Sequence, residues 1–272
     1  MNVDIDKMQH NQAHNKSIQL LEKLKNQKVI SGIKTGFEVE DFDDEELLYL
    51  KSLADHAGLP MTVKIGGPEA RRDIRFCLNN NIYKILAPMI ESVYALDLFV
   101  NTATSLASGP TPKLAINLES YLAYSSLDSF ISATSFSKLD SVTIGRGDLS
   151  ASMHLKVNDP EVLRVTRNAL QKITNAGKET SVGGGLKVAG IKEILEMLPS
   201  NHINTRHVIL NRDKLLQRSS HETLSLALSF ELELYRSMSN LFKAKASLYL
   251  DRINVLRKRL ELESGSVVQK RA

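Results

Sequence analysis

Short apolar runs rich in β-branched residues alternate with helical patterns along most of this chain, and no other feature constrains the fold as tightly. The runs lie at residues 32–37, 61–65, 83–87, 113–118, 141–144, 180–182 and 207–210. Helical patterns separate them over 44–57, 68–79, 92–105, 120–134, 160–175 and 188–197. Strand and helix alternating at about 20 to 40 residues predict a parallel sheet with crossover helices. Two architectures satisfy that pattern, a closed barrel and an open doubly wound sheet. The chemically capable residues Glu38, Lys64, Glu91, Glu119, Asp148 and the glycines 183 to 185 fall at or just past strand ends, on many different strands. A barrel gathers such residues at one mouth, whereas an open sheet spreads them along an edge. The expected fold is therefore a (β/α)8 TIM barrel. Seven strands are clear and the eighth is not; residues 28–30 are a poor candidate for it.

Residues 1–15 read as a flexible polar tail, 16–215 as the barrel with a short amphipathic helix at its start, and 216–272 as a C-terminal helical extension. Between His221 and Glu263 there is neither glycine nor proline, and apolar residues recur at Phe242, Ala246, Tyr249, Ile253, Leu256 and Leu260. That alternating spacing makes a helical seam. It serves either to cover the barrel or to join subunits into a homo-oligomer. The last residues are expected to fray.

Composition narrows the class. Of 272 residues, 42% are hydrophobic and 24% charged, enough for a packed core. A net charge of +4, much of it after Arg252, is no clustered basic face, so nucleic acid is not an expected partner. A single cysteine, Cys77, sits among apolar neighbours and fits a reducing compartment. The polar N-terminus has no signal-peptide core, and no apolar run nears the roughly 18 residues of a membrane span. A cytoplasmic protein without membrane contact is expected.

Glu119 ends the run INL, and Asp148 follows the next run within TIGRGDLS. Successive parallel strands of a barrel are neighbours, so the two carboxylates can converge. Alone they would repel and raise a pKa. A divalent cation relieves that repulsion, and Mg2+ suits a site with few protein carboxylates and open positions for water and substrate. Either residue could instead cap the following helix. Gly145 and Gly147 flank Arg146 before Asp148, so this turn can bring backbone close to an anion or simply turn the chain. Lys64, before Gly66 and Gly67, can meet a substrate carboxylate or an enolate oxygen, form a Schiff base, or lie idle on the surface. The histidines offer no zinc pattern, and no phosphate-binding loop or hydrolase triad is present.

The ordered set VKIGG, ILAPMIES, INLES and IGRGDLSASM, spread over residues 32–210, resembles the HpcH/HpaI aldolase/citrate lyase β-subunit family of the phosphoenolpyruvate/pyruvate superfamily. The resemblance implies a (β/α)8 barrel with Mg2+ or Mn2+ held by Glu119 and Asp148. It implies that the backbone at Gly145, Arg146, Gly147 and Asp148 receives a keto-acid carboxylate, and that the metal stabilises an enolate during carbon–carbon cleavage or formation. Departures accompany it. Lys64 stands where the family places arginine, and Lys lacks the bidentate fork. The stretch GFEVED has Glu38 but no histidine, so the aldolase base is absent or replaced. Asn117 stands where pyruvate kinase has lysine, which argues against phosphoryl transfer. The implied activity is that of a metal-dependent carbon–carbon lyase acting on a 2-keto acid of the pyruvate or oxaloacetate type, or on an acyl thioester. Lys64 would stabilise developing charge and Glu38 would serve as base or positioning group. Two other readings stay open: a catalytically impaired sensor or scaffold that binds a keto acid or phosphoenolpyruvate, and a phosphoenolpyruvate-using condensing enzyme.

Overall fold

The computed structural model describes residues 2–38 and 40–260, with side chains from Gln12 onward. Its centre is a closed eight-stranded barrel in sequential order. The strands are β1 (Ile30–Gly36), β2 (Met61–Lys64), β3 (Lys84–Ala87), β4 (Lys113–Leu118), β5 (Ser141–Gly145), β6 (Glu179–Gly183), β7 (His202–Asn204) and β8 (Val208–Asn211). Neighbours from β1 to β7 pair in parallel.

The barrel departs from the expected all-parallel closure at one strand. β8 runs antiparallel to both β7 and β1. Only residues 205–207 separate β7 from β8, far short of the dozen or so residues a parallel crossover needs. A hairpin therefore replaces the last βα unit. The Thr205 hydroxyl accepts from the Val208 amide at 3.0 Å, and the Thr205 amide donates to the Val208 carbonyl at 3.0 Å, closing the turn. The eighth strand escaped the sequence reading because β7 spans three residues, too few to show a period of two. The stretch set aside around residue 30 is the start of β1.

Alternation along the strands sends apolar side chains outward. Ile33, Val63, Ile85, Ile116, Val142, Val182 and Val208 are buried against the surrounding helices. The inward side chains are mostly polar: Lys34, Thr62, Lys84, Ser141, Thr143, Glu179, Ser181, His202 and Asn204 line a narrow interior cavity. Barrels of this type usually fill that space with branched apolar residues. Here hydrogen bonds fill it, among them Thr143 to Ser181 at 2.6 Å and Asn204 Nδ2 to Ser181 at 3.0 Å.

The covering helices follow local signals. Helix Asp44–His56 opens with a capping box between Asp43 and Glu46 and buries Leu47, Leu50 and Ala54 at helical spacing. Helix Pro160–Asn175 opens on the Asp159 cap with Pro160 in its first turn and buries Val162, Val165, Ala169 and Ile173.

Both described ends of the chain are helical. The segment expected as a tail belongs to one helix, Asn2–Asn26, which packs along helix Ser220–Leu241 and buries Leu20, Leu21 and Leu24. The C-terminal extension consists of two helices. It breaks after Leu241 and resumes as Ala246–Arg259, with neither glycine nor proline at the break. Tertiary contacts hold that break. Phe242 packs edge-on against Tyr49, and Lys245 donates to the Asp41 carbonyl and to Glu46 at 2.7 Å. Glu46 also receives the Tyr249 hydroxyl. Tyr249, Ile253 and Leu256 of the seam are buried within the chain itself. The end expected to fray, residues 264–272, lies outside the described residues. Among the described residues no helix is long and apolar enough to cross a membrane.

Candidate active site at the barrel mouth

The C-terminal ends of β1 and β4 to β6 and the β7–β8 turn open on one cavity, lined by Lys34, Glu40, Asn117, Glu119, Thr143, Gly145, Gly147, Asp148, Asn204, Arg206 and Arg259, among others. Glu119 follows β4 directly and is only 3% exposed. Its Oε1 accepts the Met89 amide at 3.0 Å, and its Oε2 accepts Asn117 Nδ2 at 2.8 Å. Met89 presents that amide from a left-handed backbone with φ of 49°, a conformation that costs a non-glycine residue energy and recurs at functional sites. Gly145 is needed beside Glu119, because a Cβ at position 145 would lie 2.8 Å from the Glu119 Cβ and 2.9 Å from its Oε2.

Burial pushes the Glu119 carboxyl upward and nearby Asp148 adds to the rise; Lys64, the Met89 amide and Asn117 oppose it. Asp148 itself is exposed in the first turn of the helix after β5. The two predicted metal ligands thus share one mouth and sense each other's charge. Both are hard oxygen donors, which fits a cation that takes few protein ligands and keeps several waters. Among the described residues no group of three or more His, Cys, Asp or Glu side chains could hold a metal. Any such ion would depend on water and substrate oxygens for the rest of its shell.

The other predicted residues are placed differently. Lys64 and Glu38 do come together, but as an ion pair with each other, and neither lines the cavity. Lys64 is 7% exposed and acts on Glu119 through charge. Its availability as a Schiff-base amine is curtailed by that pairing. Arg146 is expected to offer its backbone to a carboxylate, and its side chain has another use. Its side chain is fully buried and absent from the cavity wall. Its Nη2 donates to the Gly184 carbonyl at 2.6 Å and its Nη1 to Asn158 at 3.2 Å. Desolvation lowers its pKa to about 10. The GRGD arginine therefore ties the β5 turn to the glycine loop after β6. That loop lies flush on the turn: a Cβ on Gly184, whose φ is 89°, would sit 2.5 Å from the Gly147 amide nitrogen. Gly145, Gly147 and Asp148 do line the cavity.

Sequence reading missed the basic wall. Lys34 points inward from β1, a position marked only by being polar within an apolar run. Glu40 is buried and pairs with Arg206, Nη1 to Oε1 at 3.0 Å. Burial pushes Glu40 upward, but Arg206, His207, Lys34 and Lys64 outweigh it and hold the carboxyl below its ordinary value. Arg206 reaches the mouth because the hairpin turns there, and Arg259 arrives from the last helix, its Nε donating to the Leu186 carbonyl at 2.9 Å. No local motif announces either. Three buried acceptors in this cavity have no partner among the described residues: Glu40 Oε2, Asn117 Oδ1 and Asn204 Oδ1. Unsatisfied groups of this kind call for water, an ion or a ligand.

The fold is that of α/β barrels with the aldolase and citrate lyase architecture. Comparison with solved structures gives the particulars. An HpcH/HpaI aldolase/citrate lyase family protein from Burkholderia cenocepacia J2315 aligns with a TM-score of 0.55 at 15% identity, over 80% of this chain and 89% of that one. An HpcH/HpaI aldolase from Desulfitobacterium hafniense DCB-2 aligns with 0.53 at 16% identity, over 60% and 72% of the two chains. The citrate synthase SbnG aligns with 0.53 at 17% identity, over 73% and 83%. No protein-family model matches the chain, and no curated protein matches it in sequence.

Proposed function

We propose that this protein is an aldolase- or lyase-type enzyme of the HpcH/HpaI kind that makes or breaks a carbon–carbon bond in a 2-keto acid. The observation that carries the reading is the buried Glu119 carboxyl, pushed up by burial and by Asp148 in a cavity that also holds three unpartnered acceptor atoms. Glu119 and Asp148 would hold Mg2+ or Mn2+. A divalent cation bound there would polarise the keto oxygen as a Lewis acid. The Met89 amide and Asn117 keep Glu119 oriented toward the cavity. Lys64, held by Glu38, favours the ionised form of Glu119 and so prepares it for a cation. Residues 145–148, pressed into place by the glycine loop, would receive the substrate carboxylate.

Isothermal titration with Mg2+ and oxalate, a mimic of an enolised keto acid, tests this. Expected is binding of oxalate that requires the metal and is lost in Asp148→Ala and Glu119→Gln. Equal binding by wild type and Asp148→Ala would refute the assignment. Metal-dependent exchange of pyruvate methyl protons in D2O separates an enzyme from a sensor that binds without turnover. The absence of a histidine in the GFEVED stretch favours the sensor reading, so that exchange is the deciding measurement.

A further inference from the structure

Charge is unevenly shared around the barrel mouth. In the sequential closed barrel, β4 stands opposite β8. Glu119 follows β4 and Asp148 follows β5, so both proposed metal ligands sit on one side. Cations line the rest of the wall: Lys187 after β6, Arg206 from the β7–β8 turn, Lys34 on β1 and Arg259 from the last helix. Among the described residues on that side the sole carboxylate lining the cavity is Glu40, and Arg206 holds it at 3.0 Å. The cavity measures about 410 Å3, ample for an acid longer than pyruvate.

Arg259 is the cation with hydrogen-bonding capacity left over. It is half-buried at the end of helix Ala246–Arg259. Its Nε donates to the Leu186 carbonyl at 2.9 Å, which fixes the guanidinium against the glycine loop. Its Nη1 and Nη2 have no acceptor among the described residues. Burial lowers its pKa; Glu231 opposes the lowering and Arg206 adds to it. A desolvated cation without a carboxylate is costly. A fork with two free donors matches the paired oxygens of a carboxylate or phosphate. The other cations are placed differently: Arg206 is committed to Glu40, Lys187 is exposed, and Lys34 lies where the mouth meets the interior cavity.

We propose that Arg259 is a specificity-determining residue that binds a second oxyanion at the far end of the substrate, across the mouth from Glu119 and Asp148. The preferred substrate then extends beyond pyruvate to a distal carboxylate or phosphate. This deepens the keto-acid reading above and rests on it. Arg259 makes and breaks no bond; it binds and orients. Its fork reaches the mouth from outside the barrel, on a helix anchored through Lys245 and Tyr249 to Glu46. Selectivity for the distal group therefore depends on that helix being docked.

Isothermal titration of the full-length protein in Mg2+ tests the proposal. Oxaloacetate, 2-oxoglutarate and 2-oxoadipate place a carboxylate progressively further from the keto group, and 3-phosphonopyruvate carries a phosphonate. Each is compared with the keto acid of matching length that ends in a methyl group, and the readout is the ratio of the two affinities. Expected is an advantage of about tenfold or more for one charged probe in wild type, falling close to parity in Arg259→Gln. The preferred probe names the oxyanion. A merely structural arginine weakens both members of a pair together, so an intact ratio in Arg259→Gln overturns the proposal. If that variant does not fold, Arg259→Lys decides, because it keeps the charge and loses the fork: a reduced ratio supports the assignment and an undiminished one overturns it. Parity for every probe in wild type overturns it without any variant. Mg2+–oxalate titration in parallel separates the failures. Oxalate binding without an advantage for any charged probe leaves the keto-acid reading standing, and loss of oxalate binding removes both.

Discussion

Arg146 and Lys34 are two desolvated cations at the same end of the same barrel, and they are used in opposite ways. Arg146 gives its fork to the Gly184 carbonyl and to Asn158 and shows nothing to the cavity. Lys34 gives its amine to no described acceptor and lines the cavity throughout its depth. Guanidinium suits the first role because it is planar, stays charged and bonds in several directions at once. An ammonium suits the second because it is a compact point charge on a flexible stem. The arginine that sits in a recognisable motif is thus architecture, and the lysine without a motif is the cation left facing the cavity.

The comparison breaks most sharply at Arg146. Arg146→Ala removes packing and leaves the Gly184 carbonyl unpaired, and should cost about 3 kcal/mol in urea unfolding. A loss below about 0.5 kcal/mol would mean that the turn and the glycine loop stand without their guanidinium tie.

Gly184→Ala probes the same contact from the other side. A Cβ there meets the Gly147 amide at 2.5 Å and must adopt a φ of 89°. Strain and displacement together should cost about 2 kcal/mol. Because Gly147 and Asp148 move with the turn, Mg2+–oxalate affinity should fall too. Full affinity with lowered stability would separate the glycine loop from the site.

The same pair explains what could be read from the residues alone. The βα alternation, the outward apolar faces and the convergence of Glu119 with Asp148 on one mouth all arise from strand periodicity and strand order, which a single sequence carries. The β7–β8 hairpin was hidden because three residues carry no periodicity. It delivers Arg206 to the mouth, and the fold of the last helix against Glu46 delivers Arg259. Both are consequences of long-range packing. The direction in which Arg146 points depends on a loop 38 residues away, and the pairing of Lys64 with Glu38 removes two candidate groups from the cavity. Lys34 was legible only as a polar interruption of an apolar strand.

On the other side of the comparison, Lys34→Met should keep or raise stability, by about 1 kcal/mol, because it replaces an unpartnered desolvated cation with an apolar chain of similar length. The pH dependence fixes the sign. Lys34 titrates below 10.5 in the folded protein, so between its lowered value and 10.5 the unfolded chain binds more protons. Wild-type stability therefore gains a rising contribution with pH in that window, and Lys34→Met should lack it. A variant that is destabilised at neutral pH would show that the amine is structural.

The smallest effect is expected at Glu119, where Lys64, the Met89 amide and Asn117 oppose the rise that burial and Asp148 cause. Its folded value is raised above 4.5, so in the window between 4.5 and that raised value the folded protein holds the proton more tightly than the unfolded chain. Stability should fall as pH climbs through the window, and Glu119→Gln should flatten the decline. A cation held by Glu119 and Asp148 inverts the sign, since binding expels the proton: with Mg2+ and oxalate present, stability should rise across the same window. Thermal melts at stepped pH, with and without the ion, read both slopes. If Mg2+ and oxalate leave the slope unchanged, Glu119 is not a ligand.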